Sequence, residues 1–359
     1  MNKKIVFYIP SIEGGGVEKN LYFLIEYLSK KIDKIYIVTA NKKNNNSKKV
    51  EYICPNTNYW DKKNRTLKNI VCIYLFIINF WSSKGVILSF QSNVTSILIS
   101  KILRFKVLIR LNTSIKKYIK NFFKKIIFKF FYSLSDTIIV NSKFFQRELT
   151  EINLKSHLIL NLISSEKKKG ELYFFKKFKG LKILNIGRLT DQKDQITIIK
   201  SLAILKKKKI NFRCSIIGRG SCHYILMSEI KRLKLAKNIK LIGFRKNAEK
   251  YISQSDIFVL SSKFEGLPNV LIEAQKYGVP IISSNCPTGP KEILMNGKFG
   301  ELFPVGNFQI LANKLLDFSK NKKNLKKKAS YAKKNLKRFD SIINSKKYLD
   351  LILKDYEKI

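Results

Sequence analysis

What most constrains this chain is a pattern that starts twice. Near the N-terminus an apolar run, Lys4-Ile5-Val6-Phe7-Tyr8-Ile9-Pro10, meets three consecutive glycines, Gly14, Gly15 and Gly16, and then a helical segment to about Lys30. At Leu181-Lys182-Ile183-Leu184-Asn185-Ile186 the pattern begins again, with Gly187 at the turn and a helix expected from about Gln192. Short apolar runs that end in glycine turns and alternate with helical stretches predict parallel strands joined by crossover helices. Further strands are expected at 34–39, 85–89, 107–111 and 137–140 in the first half, and at 239–243 and 256–260 in the second. The expected architecture is α/β, with two doubly wound domains in a chain of 359 residues. Between them, residues 166–180 turn polar and Lys-rich and are expected to form the linker.

One strand-to-helix passage carries most of the chemistry. After the apolar run 256–260 come Ser261-Ser262-Lys263-Phe264, then Glu265-Gly266-Leu267-Pro268-Asn269-Val270-Leu271-Ile272-Glu273-Ala274, and later Gly278-Val279-Pro280. Pro268 suits the first turn of a helix that Gly278 and Pro280 end. A loop entering a helix offers free backbone N–H groups and a positive dipole end, a seat for a diphosphate. Carboxylates beside such a seat would repel it, so Glu265 and Glu273 are better placed to accept hydrogen bonds from neutral hydroxyls. A ligand with a phosphate centre and a sugar at each end has that shape.

Glu265 and Glu273, separated by seven residues within this segment, resemble the E-x7-E signature of retaining glycosyltransferases of family 4. The resemblance is strong over 181–305 and weaker over 1–165. It implies the GT-B fold: two facing Rossmann-like domains with parallel sheets and a cleft between them. Residues 1–165 would bind acceptor, 181–335 would bind donor, and 336–359 would form a C-terminal helix packing back on the first domain. Within the family pattern Glu265 contacts the transferred sugar and Glu273 holds the ribose. Residues Gly266, Leu267, Pro268, Asn269 and Val270 line the donor. Arg188 and Lys193, in Gly187-Arg188-Leu189-Thr190-Asp191-Gln192-Lys193, neutralise the leaving diphosphate. Gly15 and Gly16 match the glycine-rich loop that closes over the diphosphate from the other domain, and Phe244 and Arg245 stand where the family seats the nucleobase. Members of the family need no divalent metal and no cofactor beyond the nucleotide-sugar donor, here expected to be a UDP-sugar. The run Cys286-Pro287-Thr288-Gly289-Pro290-Lys291-Glu292-Ile293 is similar to one in members acting on amino sugars or galactose. One position departs from the family. Where many relatives carry a histidine after a first-domain strand, this chain has Arg110-Leu111-Asn112-Thr113-Ser114, which leaves Asn112 as the candidate for orienting sugar or acceptor.

Charge narrows the partners. The formal net charge is +46, which attracts nucleic acid, anionic membranes or acidic small molecules. The excess is Lys spread from end to end, with Lys, Asn, Ile and Phe inflated together as by a drift toward AT-rich codons. A basic nucleic-acid-binding protein is the alternative reading, but clustered Arg for bidentate base contacts is missing. A dinucleotide-dependent enzyme is disfavoured because no G-x-G-x-x-G is complete. Five scattered cysteines without a C-x2-C pair, and only His157 and His223, fit a reduced protein with no metal site.

The N-terminus runs straight into a strand with no cleavable signal pattern, and the apolar run 70–80 is too short to span a bilayer. A cytoplasmic protein, peripheral at the inner face of the cell membrane, is expected. The segment 114–131 is the candidate contact. Ile119, Phe122, Phe123, Ile126, Ile127 and Phe130 recur at helical spacing, and Lys117, Lys120, Lys124, Lys125 and Lys129 fill the rest of the arc. Such a helix either lies in an anionic membrane interface or packs as an ordinary core helix with a solvated face. First domains that face a membrane are common in the family when the acceptor is lipid-linked. The expected activity is therefore transfer of a hexose or N-acetylhexosamine from a UDP-sugar to a lipid-linked or glycan acceptor in surface-polysaccharide synthesis.

Overall fold

A computed structural model describes residues 4–43, 47–117, 119, 121–164 and 166–357. The chain divides into two compact units, residues 1–163 with 339–359, and residues 164–338.

The first unit runs β1 (Lys4–Tyr8), α1 (Gly16–Leu28), β2 (Lys34–Val38), β3 (Val50–Ile53), α2 (Arg65–Phe80), β4 (Val86–Ser89), α3 (Asn93–Ile102), β5 (Lys106–Leu111), α4 (Phe122–Ser133), β6 (Thr137–Val140), α5 (Lys143–Thr150) and β7 (His157–Leu158). Its sheet has the order β3-β2-β1-β4-β5-β6-β7, and every neighbouring pair is parallel. Alternation along β1 sends Val6 and Tyr8 into one core and Ile5 and Phe7 into the other, so both faces are buried. The first core is closed by α2 to α5, through Cys72, Phe76, Ile97, Tyr132 and Phe145.

The second unit runs β8 (Leu181–Ile186), α6 (Gln195–Lys207), β9 (Phe212–Ile217), α7 (His223–Arg232), β10 (Ile239–Gly243), β11 (Ile257–Leu260), α8 (Asn269–Tyr277), β12 (Ile281–Ser284), α9 (Pro290–Ile293), β13 (Glu301–Phe303), α10 (Phe308–Lys320) and α11 (Lys323–Lys334). Its sheet, order β10-β9-β8-β11-β12-β13, is again wholly parallel. One core gathers Ile183, Ile216 and Val259 under Leu202 of α6 and Leu315 of α10. The chain then returns: α12 (Ser341–Tyr356) joins α1 over the other core of the first unit through Tyr348 and Ile352.

Strand order reverses between β1 and β4 in one sheet and between β8 and β11 in the other. In parallel sheets the crevice beyond the strand ends at such a reversal is where ligands bind.

Three expectations shift. Residues 166–180, expected as the linker, lie inside the second unit, where the Phe174 ring packs under the Arg213 guanidinium at 5.0 Å; the chain crosses at 163/164 and again at 338/339. The helix expected from about Gln192 begins at Gln195, because Asp194 takes a left-handed conformation with φ 46° after the single turn Asp191–Lys193. The segment 114–131 is not one helix. A turn at Ile115–Lys117 stops, and α4 starts at Phe122 because the Asn121 side chain accepts the Lys124 N–H at 3.0 Å as an N-cap. Lys120 lies outside the described residues.

Candidate active site

The second unit builds its site where β8 and β11 diverge. Beyond β8 the chain turns through Gly187 and Arg188, and beyond β11 through Ser261 and Ser262 to Glu265. Four hydrogen bonds stitch these loops together. Ser261 Oγ donates to the Lys193 carbonyl at 2.9 Å, the Lys263 N–H to the Gln192 carbonyl at 2.8 Å, and Gln192 Nε2 to the Phe264 carbonyl at 2.9 Å. The fourth joins side chains: Lys193 Nζ lies 2.5 Å from Glu265 Oε1. Ser262 Oγ donates to the same oxygen at 2.6 Å. Glu265 is 8% exposed, so its charge is held by an ammonium and a hydroxyl rather than by water.

A second loop fixes Glu265 from behind. Thr288 Oγ1 donates to the Glu265 carbonyl. Gly289 has φ 73°, and a Cβ there would fall 2.0 Å from the Gly266 carbonyl oxygen, so no side chain fits. Cys286, buried in this loop, has its thiol pushed up to about 12, first by burial and then by the Glu265 charge. The run 286–293, which in sequence carried only a hint about the donor, is a buttress for the Glu265 loop.

Pro268 sits at the N-cap of α8, one residue earlier than expected, and no side chain caps the helix. The Leu271 N–H donates to the Pro268 carbonyl at 3.1 Å, and the helix turns its positive dipole end toward the Glu265 loop. Glu273 is one turn inside α8 and 4% exposed. Leu267 and Asn269 are buried beside it, and Gly278 ends the helix with φ 69°. The Arg188 guanidinium is exposed and has no ion-pair partner among the described residues, in contrast to Lys193.

Phe244 and Arg245 follow β10 at the sheet edge. The Phe244 ring is 46% exposed and lies 5.0 Å under the Arg219 guanidinium. Arg219 is a residue that sequence reasoning passed over. It sits between Gly218 and Gly220, and the loop is drawn close because the place a Gly218 Cβ would occupy is 1.8 Å from the Gly187 carbonyl oxygen. The Leu189 N–H donates to the Arg219 carbonyl at 3.0 Å. The turns after β8, β9 and β10 thus make one continuous backbone surface, with Arg188 and Arg219 as its cations.

The first unit places its candidates separately. Gly15 caps α1 in an extended conformation without a side-chain bond, and Gly16 opens the helix. The buried Glu18 carboxylate turns back to accept the Glu13 N–H at 3.3 Å, so this loop already holds a negative charge. Asn112, just past β5, uses both ends of its amide. It accepts from Arg110 Nη1 at 2.5 Å and donates to the Phe90 carbonyl at 3.1 Å. Arg110 is 2% exposed, donates also to Asn161 Oδ1 at 2.7 Å, and lies 5.1 Å over the Phe90 ring. Among the described residues no group of three or more His, Cys, Asp or Glu gathers in a way that could hold a metal.

Comparison with known proteins reaches the same region. Residues 164–336 match the family model described as "Glycosyl transferases group 1". An uncharacterized glycosyltransferase of Methanocaldococcus jannaschii is 36% identical over 197 residues, 51% of this chain and 48% of the relative. The N-acetylgalactosamine-N,N'-diacetylbacillosaminyl-diphospho-undecaprenol 4-alpha-N-acetylgalactosaminyltransferase of Campylobacter jejuni is 29% identical over 233 residues, 63% of each chain. This chain therefore spans less than two thirds of the length of either relative. The crystal structure of Anabaena Alr3699/HepE in complex with UDP and glucose superimposes with a TM-score of 0.79 at 18% identity, covering 98% of this chain and 100% of that one. The fold is GT-B, built from two Rossmann-like domains.

Proposed function

We propose that this chain, whose residues 164–336 match the glycosyl transferases group 1 model, is a retaining glycosyltransferase. It would move a hexose or N-acetylhexosamine from a UDP-sugar to a lipid-linked or glycan acceptor in surface-polysaccharide synthesis. The observation that carries this reading is the Lys193–Glu265 pair in the loop that leads into α8, with the exposed Arg188 guanidinium on the adjoining turn.

In this reading the diphosphate sits at the positive N-terminal end of α8. Arg188 grips it as a fork and Lys193 as a point charge, with no metal required. Glu265 accepts a hydrogen bond from a hydroxyl of the transferred sugar, and Lys193 and Ser262 hold its carboxylate in place. Glu273 takes the ribose, and the exposed Phe244 ring, with Arg245, offers a platform for the base. As the bond from the anomeric carbon to the diphosphate oxygen breaks, negative charge grows where Arg188, Lys193 and α8 converge. The acceptor hydroxyl forms the new bond on the same face and passes its proton to the departing diphosphate. Asn112, locked by Arg110, is assigned to sugar or acceptor orientation. The similarity to a transferase named for a diphospho-undecaprenol acceptor supports a lipid-linked acceptor, and so a cytoplasmic protein working at the inner face of the membrane. The structure with UDP and glucose bound supports the donor class.

A thermal-shift panel of UDP-, GDP- and ADP-sugars without added metal tests the reading. A rise in melting temperature with UDP-sugars, lost in Glu273→Ala, is expected. No shift with any sugar nucleotide, or a shift with RNA oligomers instead, would overturn it.

A further inference from the structure

One helical layer of the first unit is left open on its outer side. α2 buries Lys68, Cys72, Phe76 and Phe80, four residues apart, toward the sheet. Opposite them Leu67, Ile70, Tyr74, Ile78 and, just past the helix end, Trp81 form a stripe exposed from 39% to 67%. At about 100° per residue, the stripe occupies an arc of about 80°. The helix is therefore apolar on both sides, which in a water-facing position calls for a further partner.

The neighbouring helices repeat the pattern. α3 turns Val94, Leu98 and Ile102 outward, again four apart. α4 exposes Phe122, Phe123, Ile126, Ile127 and Phe130 and fully buries only Tyr132, the reverse of a core helix. Since α2 packs on α3 and α3 on α4, the three stripes belong to one layer.

Charge identifies the occupant. The chain has 25 Asp and Glu, yet residues 62–135 contain none. A general excess of Lys does not clear every acid from one layer. Lys101, Lys124, Lys125 and Lys129 are exposed among the stripes. A second copy would bring the same positive charge face to face, and nucleic acid has nothing to offer Ile and Leu side chains. An anionic bilayer interface takes both, apolar side chains at the acyl boundary and lysines at the headgroups. Among the described residues no helix is long and apolar enough to cross a membrane. α2 has 16 residues, where a span needs about 20.

We propose that α2, α3 and α4 together form a docking platform that lies in the plane of an anionic lipid bilayer. The platform deepens the peripheral placement proposed above and rests on that reading only for the choice of the inner face.

The test is flotation of the full-length protein with phosphatidylcholine vesicles, with and without phosphatidylglycerol, and in low and high salt. Binding is expected to favour the anionic vesicles and to weaken with salt. The surface variant Ile70→Ser/Tyr74→Ser/Ile78→Ser should lose binding at least tenfold, and Lys124→Glu/Lys125→Glu/Lys129→Glu should lose the preference for anionic lipid. The chain has two tryptophans, which provide a second readout. Quenching by brominated lipid should vanish in Trp81→Phe and persist in Trp60→Phe. Absence of binding, undiminished binding by the serine variant, or quenching carried by Trp60 would overturn the platform. So would a dimer of the wild-type protein in light scattering that the serine variant abolishes. Donor thermal shifts measured on the same variants separate the two readings: vesicle binding without any donor response leaves the platform standing and removes the transferase.

Discussion

The two units share a parallel Rossmann-like plan and break the ordinary inside-out rule in different places. The second buries charge in the loop and helix that follow β11: Glu265 and Glu273 are 8% and 4% exposed. Its outer helix α10 is conventional: it buries Leu311, Ala312, Leu315 and Phe318 and exposes no large apolar side chain. The first unit also buries charge at a strand end, in Arg110, but it presents apolar stripes on three neighbouring helices, α2, α3 and α4, to the outside. Buried charge and exposed hydrocarbon are both costly in water, and each is retained where a ligand or surface can repay it. The same architecture thus holds a polar site in one unit and a greasy face in the other.

The largest test breaks the polar site. Lys193→Met leaves Glu265 buried without its counter-ion, at a cost of about 3–5 kcal/mol. The double variant Lys193→Met/Glu265→Gln should recover most of that stability in urea unfolding while staying inactive. Glu265→Gln alone should lower kcat/KM about a hundredfold, as expected when a substrate-positioning group is lost. Equal stability of the single and double variants would show that the pair is not coupled.

Matched substitutions in the two helical layers come next. Leu311→Ala in α10 removes a fully buried side chain and should cost about 2–5 kcal/mol. Ile78→Ala in α2 removes one that is 56% exposed, and should stay within about 0.5 kcal/mol in vesicle-free buffer. A large loss at Ile78 would mean that the α2 stripe is covered by the protein itself.

Gly289→Ala asks how far the site depends on its buttress. A Cβ would collide with the Gly266 carbonyl at φ 73°, and a strained position of this kind costs about 1–3 kcal/mol. Because the displaced backbone leads into Glu265, weaker donor binding should accompany the stability loss; unchanged donor affinity would detach the 286–293 loop from the site.

How much of this could be read from the sequence follows from the range of the forces. Strand–glycine–helix alternation is local, so the fold class, both Rossmann-like units and the Glu265–Glu273 helix were legible. The Lys193–Glu265 contact joins residues 72 apart, and nothing in the spacing foretold that the cation would hold the acid. Arg219 was invisible among so many basic residues until the close approach of Gly218 to Gly187 placed it over Phe244. The periodicity of α4 was visible, but whether its phenylalanines faced core or solvent depended on how α3 and the sheet were already covered. The late start of α4 within 114–131 turned on one N-capping side chain, Asn121, in a stretch whose apolar period ran through it.

The smallest expected effect concerns Asp194, beside the site lysine. Burial raises its carboxyl above the usual range, opposed by the hydroxyl of Thr197, which donates at 2.6 Å, and by the charge of Lys263. A carboxyl with a raised value in the folded state binds its proton more tightly folded than unfolded. Its contribution to stability therefore falls as pH rises from the unfolded value, about 3.9, through the raised folded one, and the cost is fully present at neutral pH. Asp194→Asn keeps an acceptor for Thr197 and suits the left-handed conformation at φ 46°. The variant should be slightly more stable than the wild type at pH 7 and lose that advantage near pH 4, as measured by urea unfolding at both values. A constant difference across that range would place the strain in the backbone rather than in the buried charge, leaving Glu265 and Glu273 to account for the electrostatic cost of the second unit.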